Sequence, residues 1–383
     1  MSRGALAHLP DLLLRRRPVH LTVFATRRCN ARCPFCFHAK AMDAPDAPPE
    51  LTAGELRKVA RSMKPLLWVL FSGGEPFLRD DLVEVSAAFH DLNRAVFLTF
   101  PTNGLLPELV AERTAEIVRR CADSVVVVKV SLDGVGADHD SIRGVPGGFD
   151  RAVRTLERLA ALARRHPRLE IGVNTLFCSG NQRRMAGIVD FVRGLDGVRS
   201  HTISMVRGDL ADPRWREVDR DEYGRATARL ERAWGVGPDR FQRFAGAGLK
   251  AAQDRLRHRL VRRTLAERRR LVPCHAGKLS LVLDEDGELH PCEERWDLSI
   301  GNVRESGHDV SAMLRSERGR RVLREVASAG CYCSHECNML VNVLASPAAH
   351  PRLLAEWARI ALPRRDRGGR SDGQAAAREA RVG

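Results

Sequence analysis

Residues 20–40 read HLTVFATRRCNARCPFCFHAK. The first part, HLTVF, is a short β-branched run, and the second is a loop with Cys29, Cys33 and Cys36 in the spacing C-x3-C-x2-C. A cysteine-bearing loop directly after a strand lies where α/β proteins build sites, at the carboxyl end of the strand. The alternation continues outward from this stretch. LWVLFS, AVFLTF, SVVVVKVS, LEIGVNTLF and SHTISMV read as further strands, and segments such as TAGELRKVARSM and FDRAVRTLERLAALARR read as helices between them. Apolar runs separated by helix-period segments predict a parallel sheet with crossover helices. Over residues 20–210 the pattern predicts an α/β fold, a partial (β/α)6 TIM-like barrel.

The composition, 44% hydrophobic and 29% charged, is that of a folded globular chain and excludes wholesale disorder. The net charge of +15 is compatible with nucleic acid, an anionic lipid surface or a phosphorylated substrate. Arginine-rich runs such as LRHRLVRRTLAERRR keep a helical period and read as solvated faces. With only 5% aromatic residues there is little to stack on bases, so nucleic acid is not the expected partner. The opening MSRGALAHLPDLLLRRRPVH carries its charge after the apolar run, which Pro10 and Asp11 break, and so does not read as a secretory signal. No apolar stretch approaches the roughly 20 residues of a spanning helix. A cytoplasmic location is expected, and there the ten cysteines should be thiols or metal ligands.

The expected organisation is a leading segment, 1–19, the barrel, 20–210, and a basic helical linker or lid, 211–270. A smaller cysteine-bearing module follows at 271–345, built on the hairpin KLSLVLDEDGELHPC with Asp286-Gly287 at its turn. Residues 346–383 are expected to form a C-terminal helix and a disordered basic tail.

Three thiolates on a four-iron cluster leave one iron open to a ligand that is not protein, which accounts for a loop with three cysteines and no fourth. The competing reading is zinc, with His38 as a fourth ligand, or three incidental thiols. CNARCPFC resembles the cluster-binding signature of the radical S-adenosylmethionine (radical SAM) superfamily, with Phe35 before the last cysteine. SGGEP, Ser72 to Pro76, ends the second strand and is similar to that family's loop for the amino group of the methionine moiety. The resemblance implies cofactor contacts from Gly73, Gly74, Glu75 and Pro76. It also implies them from Asn103 in TNG, Ser131 and Asp133 in SLDG, and Arg143 in HDSIRG, the last also readable as an ion-paired helix residue. Asn174 and Met205, ending the fifth and sixth strands, are expected at the same mouth.

The chemistry so implied is reductive cleavage of S-adenosylmethionine at a [4Fe-4S] cluster. The resulting 5′-deoxyadenosyl radical takes hydrogen from the substrate, and an external donor such as flavodoxin or ferredoxin supplies electrons. Cys274, Cys292, Cys331, Cys333 and Cys337 resemble the SPASM and twitch modules that carry auxiliary iron-sulfur clusters. Five thiols suffice for one fully ligated auxiliary [4Fe-4S] cluster, with Cys274, Cys292 and two of the last three as expected ligands; zinc is again the alternative. Cys121 and Cys178 read as packing residues. The expected substrate is a small metabolite or natural-product intermediate. A ribosomal peptide is the alternative, and a zinc-bound nucleic-acid binder a remote one. No residue in the sequence identifies a catalytic side chain beyond the cofactor sites.

Overall fold

The computed structural model describes residues 4–233 and 247–361. The expected basic tail beyond 361 and the middle of the basic segment, 234–246, lie outside the described residues. The barrel opens with α1 (Leu9–Leu14), β1 (His20–Thr26), α2 (Ala39–Met42), α3 (Ala53–Ser62) and β2 (Trp68–Gly73). It continues through α4 (Leu82–Asn93), β3 (Phe97–Thr102), α5 (Pro107–Arg120), β4 (Val125–Ser131), α6 (Ala137–Arg143) and α7 (Gly148–Ala163). β5 (Leu169–Phe177), α8 (Met185–Gly194) and β6 (Ser200–Met205) complete it. Helices α9 (Arg220–Ala233) and α10 (Ala247–Glu267) follow. The C-terminal region comprises β7 (Ser280–Leu283), β8 (Glu288–His290), β9 (Gly301–Asn302), α11 (Val310–Arg315), α12 (Glu317–Ser328), α13 (Glu336–Leu344) and α14 (His350–Ala361).

Local sequence accounts for the element boundaries. Thr52 and Glu55 form a reciprocal capping box at the start of α3, which buries Leu56, Val59 and Ala60 along one face. Pro107 occupies the first turn of α5, where its missing N–H costs nothing.

The sheet order is β6-β5-β4-β3-β2-β1-β7-β8-β9, and every pair from β1 to β6 is parallel. This is the expected partial barrel, and it is longer than expected at one edge. β7 pairs in parallel with β1, His20 to Val23 opposite Ser280 to Leu283, so the C-terminal hairpin continues the barrel's own sheet.

Strand alternation separates two environments. Leu21, Val23, Val69, Phe71, Leu98, Phe100, Val126, Val128, Ile171 and Val173 belong to the buried apolar core with the helices. The opposite face carries Thr22, Thr99, Lys129, Asn174, Thr202 and Ser204 together with Phe24, Leu70 and Val127, and lines the lumen. α13 is tied to this side through Ser280 Oγ, which donates to Asn338 Oδ1 at 3.0 Å.

Candidate active site

The cysteine loop leaves β1 at Thr26 and is locked at once to the loop after β2. The Gly74 N–H donates to the Thr26 carbonyl at 2.8 Å, and the Glu75 N–H to the Arg28 carbonyl at 2.8 Å. These glycines are required by contact. A Cβ on Gly73, whose φ is +112°, would lie 2.4 Å from the Thr26 carbonyl oxygen, and one on Gly74 would lie 2.2 Å from that of Arg28.

Glu75 is buried and accepts from the Asn103 N–H at 2.7 Å and the Phe77 N–H at 3.3 Å. Burial outweighs these donors and pushes its carboxyl up to about 7. Pro76 opens a short 3-10 turn and is buried with Phe77.

Each thiol of the loop has an N–H beside it. Asn103 Nδ2 lies 3.8 Å from Cys29 Sγ, and Arg143 Nη1 lies 3.8 Å from Cys33 Sγ. The His38 backbone N–H bonds the Cys36 sulfur. Burial raises all three thiols, Cys36 to about 11, so ligation of a metal here displaces protons. Partly buried thiols with N–H donors aimed at sulfur suit an iron-sulfur cluster.

His38 points its Nε2 at Glu285, 3.3 Å away, and its ring packs against Phe24. Among the described residues no group of three His, Cys, Asp or Glu side chains converges as it would on a single metal ion.

Arg143 is buried, its Nε bonded to Asp133 Oδ2 at 2.8 Å and its guanidinium 5.8 Å from the Phe35 ring centroid. Arg143 is thus ion-paired, as one reading of the sequence expected, but buried rather than on the helix surface, and it lies beside Cys33. Asp133 also accepts from the Leu176 N–H, which ties β4 to β5. Phe35 packs edge-on against Trp215. Asn174 accepts from Ser204 Oγ at 2.8 Å on the lumen side, and Ser131 is its register partner in β4. Met205 departs from expectation. It sits in the apolar core, on the strand face opposite Ser204, because its position is one residue out of phase with the lumen.

Cys331 acts electrostatically on Cys274 and Cys292, Cys274 also on Cys292, and Cys274 and Cys292 both on Cys333. Burial raises Cys292 to about 12 and Cys333 well above its ordinary range. Cys337 acts on Lys129 and Lys250. Cys121 and Cys178 are fully buried. Missed in the sequence were Asn30, which accepts from Asn103 Nδ2 at 2.7 Å, and the ion pairs joining the C-terminal hairpin region to the loops after β1 and β6. Arg27 pairs with Asp286 and Glu285, and Arg207 bonds Glu293 at 2.8 Å.

A family profile described as "Radical SAM superfamily" matches residues 23–176. Mycofactocin maturase MftC of Mycobacterium ulcerans is 32% identical over 83% of this chain and 80% of its own length. The chain belongs to the radical SAM superfamily. Pre-heme d1 synthase of Dinoroseobacter shibae is 27% identical over 78% of this chain and 74% of that protein. Other matched relatives are spanned over about half of their length, 54% and 45%. The structure titled "Native anSMEcpe with bound AdoMet" superposes with a TM-score of 0.58 at 15% identity, covering 90% of this chain and all of that one, which shows a shared fold. This radical SAM protein is thus an enzyme of the oxidoreductase type, with an S-adenosylmethionine-binding [4Fe-4S] cluster as its cofactor. Among the described residues no helix is long and apolar enough to cross a membrane.

Proposed function

We propose that Cys29, Cys33 and Cys36 hold the [4Fe-4S] cluster, with Asn103 and Arg143 donating to the sulfurs. The cofactor's methionine moiety lies against Gly73, Gly74 and Glu75. The observation that carries this reading is the contact between the two loops, with Gly74 seated on Arg28 and Glu75 bonded to Asn103. When bound, the cluster supplies the electron that splits S-adenosylmethionine, giving the radical that takes substrate hydrogen. The chain's own part is to orient the cofactor and exclude water. Glu75 receives the N–H groups of the cofactor amine, Arg143 holds positive charge beside the thiolates, and Phe35 with Trp215 closes the loop's outer side.

A second, auxiliary [4Fe-4S] cluster would be held by Cys274, Cys292, Cys331 and Cys333 in a SPASM- or twitch-like module, a reading supported by the electrostatic influence these thiols have on one another. Four thiolates would ligate such a cluster fully, and it would then supply an electron acceptor for the substrate radical, which would make the reaction a net oxidation. The substrate is a small metabolite, a reading supported by similarity to a pre-heme d1 synthase. The second reading, a peptide, rests on the similarity to a mycofactocin maturase. The test is anaerobic purification with an iron assay and product analysis. About seven to eight irons per chain and 5′-deoxyadenosine on reduction with S-adenosylmethionine are expected. Cys29→Ala should abolish that product, and a variant that still makes it overturns the assignment.

A further inference from the structure

The short connection between α10 and Cys274 carries Arg270, whose side chain reaches the loop of Cys331, 61 residues further along the chain. Its guanidinium is forked around the end of α12. Nη2 donates to the Ala329 carbonyl at 2.6 Å and shares a longer bond, 3.5 Å, with the Val326 carbonyl, while Nη1 donates to the Ala327 carbonyl at 3.3 Å. The last carbonyls of a helix have no partner within it, and a cation placed there also meets the negative end of the helix dipole. Capping accounts for these three bonds.

It does not account for the rest of the fork. Nε donates to the Cys331 carbonyl at 3.3 Å, and Nη2 lies 3.4 Å from Cys331 Sγ. Both contacts go to one residue, in a stretch, 329–335, that forms neither helix nor strand. Cys331 is exposed, whereas Cys292 is buried and Cys274 and Cys333 are half-buried, so packing holds Cys331 least of the four. The charge of Arg270 acts on Cys274 as well. One side chain thus supplies the hold on Cys331 that the core does not.

Hydrogen bonds to the sulfurs and positive charge beside them favour the more negative, reduced state of an iron-sulfur cluster and so raise its reduction potential. Resting on the auxiliary-cluster reading above, we infer that Arg270 is a positioning residue of that centre. It fixes the Cys331 sulfur as a ligand by clamping it to the end of α12, and its bond to that sulfur raises the potential of the cluster. Lysine cannot replace it fully, because a single ammonium does not span the helix end, the Cys331 carbonyl and the sulfur together.

The test is a redox titration of the full chain, reconstituted without oxygen and followed by electron paramagnetic resonance, reading the reduced-cluster signal that S-adenosylmethionine leaves unchanged. Arg270→Gln, which removes the charge, should shift the one-electron equilibrium about tenfold toward the oxidised cluster, a fall of about 59 mV. Arg270→Lys should keep its iron and shift about threefold, a fall of about 28 mV. Arg269→Gln, at the neighbouring exposed arginine that pairs with Glu267, should leave the potential in place. An arginine that only capped the helix would lower the unfolding temperature of both Arg270 variants without moving the potential. That result, or an equal fall in Arg269→Gln, overturns the inference. If Arg270→Gln holds too little iron to titrate, Arg270→Lys decides by the same criterion. A wild type with about four irons per chain and no second signal sinks the auxiliary cluster and the clamp with it. A second signal whose potential ignores Arg270 sinks the clamp alone and leaves the cluster standing.

Discussion

Glu75 is held by N–H donors while burial keeps its carboxyl near pH 7, so its charge changes within the working range. Below about 7 the neutral acid prevails, and above it the carboxylate. In the proposed site the ionised form receives the cofactor's amine, so affinity for S-adenosylmethionine should strengthen as pH rises through about 7. Equilibrium binding measured at several pH values should show this slope in the wild type and a flatter one in Glu75→Gln; identical slopes would remove Glu75 from the cofactor. Gly74 answers to a different constraint, because its missing Cβ makes way for the Arg28 backbone. Gly74→Ala must push that backbone aside at a cost of roughly 1–3 kcal/mol. The expected result is reduced iron content in the first loop, read by electron paramagnetic resonance after reduction, and full incorporation would count against it.

The strands of the barrel were legible in the sequence because each is a β-branched run bounded by turn residues, and all six of those expected from HLTVF to SHTISMV are present. The hairpin turn was legible for a related reason: Gly287 adopts φ +92°, and Asp284 accepts from the Asp286 and Glu288 N–H groups. The partner of β7 was not legible, because pairing across some 260 residues leaves no local pattern. Met205 was assigned by its position at a strand end, when phase along the strand decides the face. At this scale the C-terminal thiols supply a prediction. Cys292→Ser should lower iron by about four per chain while 5′-deoxyadenosine formation survives, and Cys337→Ser should leave iron unchanged. Loss of iron in Cys337→Ser would reassign the ligand set.

At the scale of the molecule, the barrel and the C-terminal hairpin share one sheet and one apolar core, which runs from Leu21 and Val69 to Leu281, Leu289 and Val322. Ion pairs reinforce that join: Arg304 bonds Glu55 at 2.7 Å, and Arg207 bonds Glu293 at 2.8 Å. A chain built this way should unfold as a single unit once the cofactors are removed. Calorimetry of the apoprotein is expected to give one endotherm whose van't Hoff and calorimetric enthalpies agree, and two resolved transitions would show the C-terminal region to be independent.

The seat of Gly73 and Gly74 on Thr26 and Arg28 leaves no slack between the segment that carries the sulfurs and the segment that faces the methionine end of the cofactor. Damage on one side is therefore transmitted to the other: when air strips the metal and the thiol segment sags, the neighbouring cradle tilts with it. Inactivation by oxygen should accordingly look like a switch, with both functions failing together.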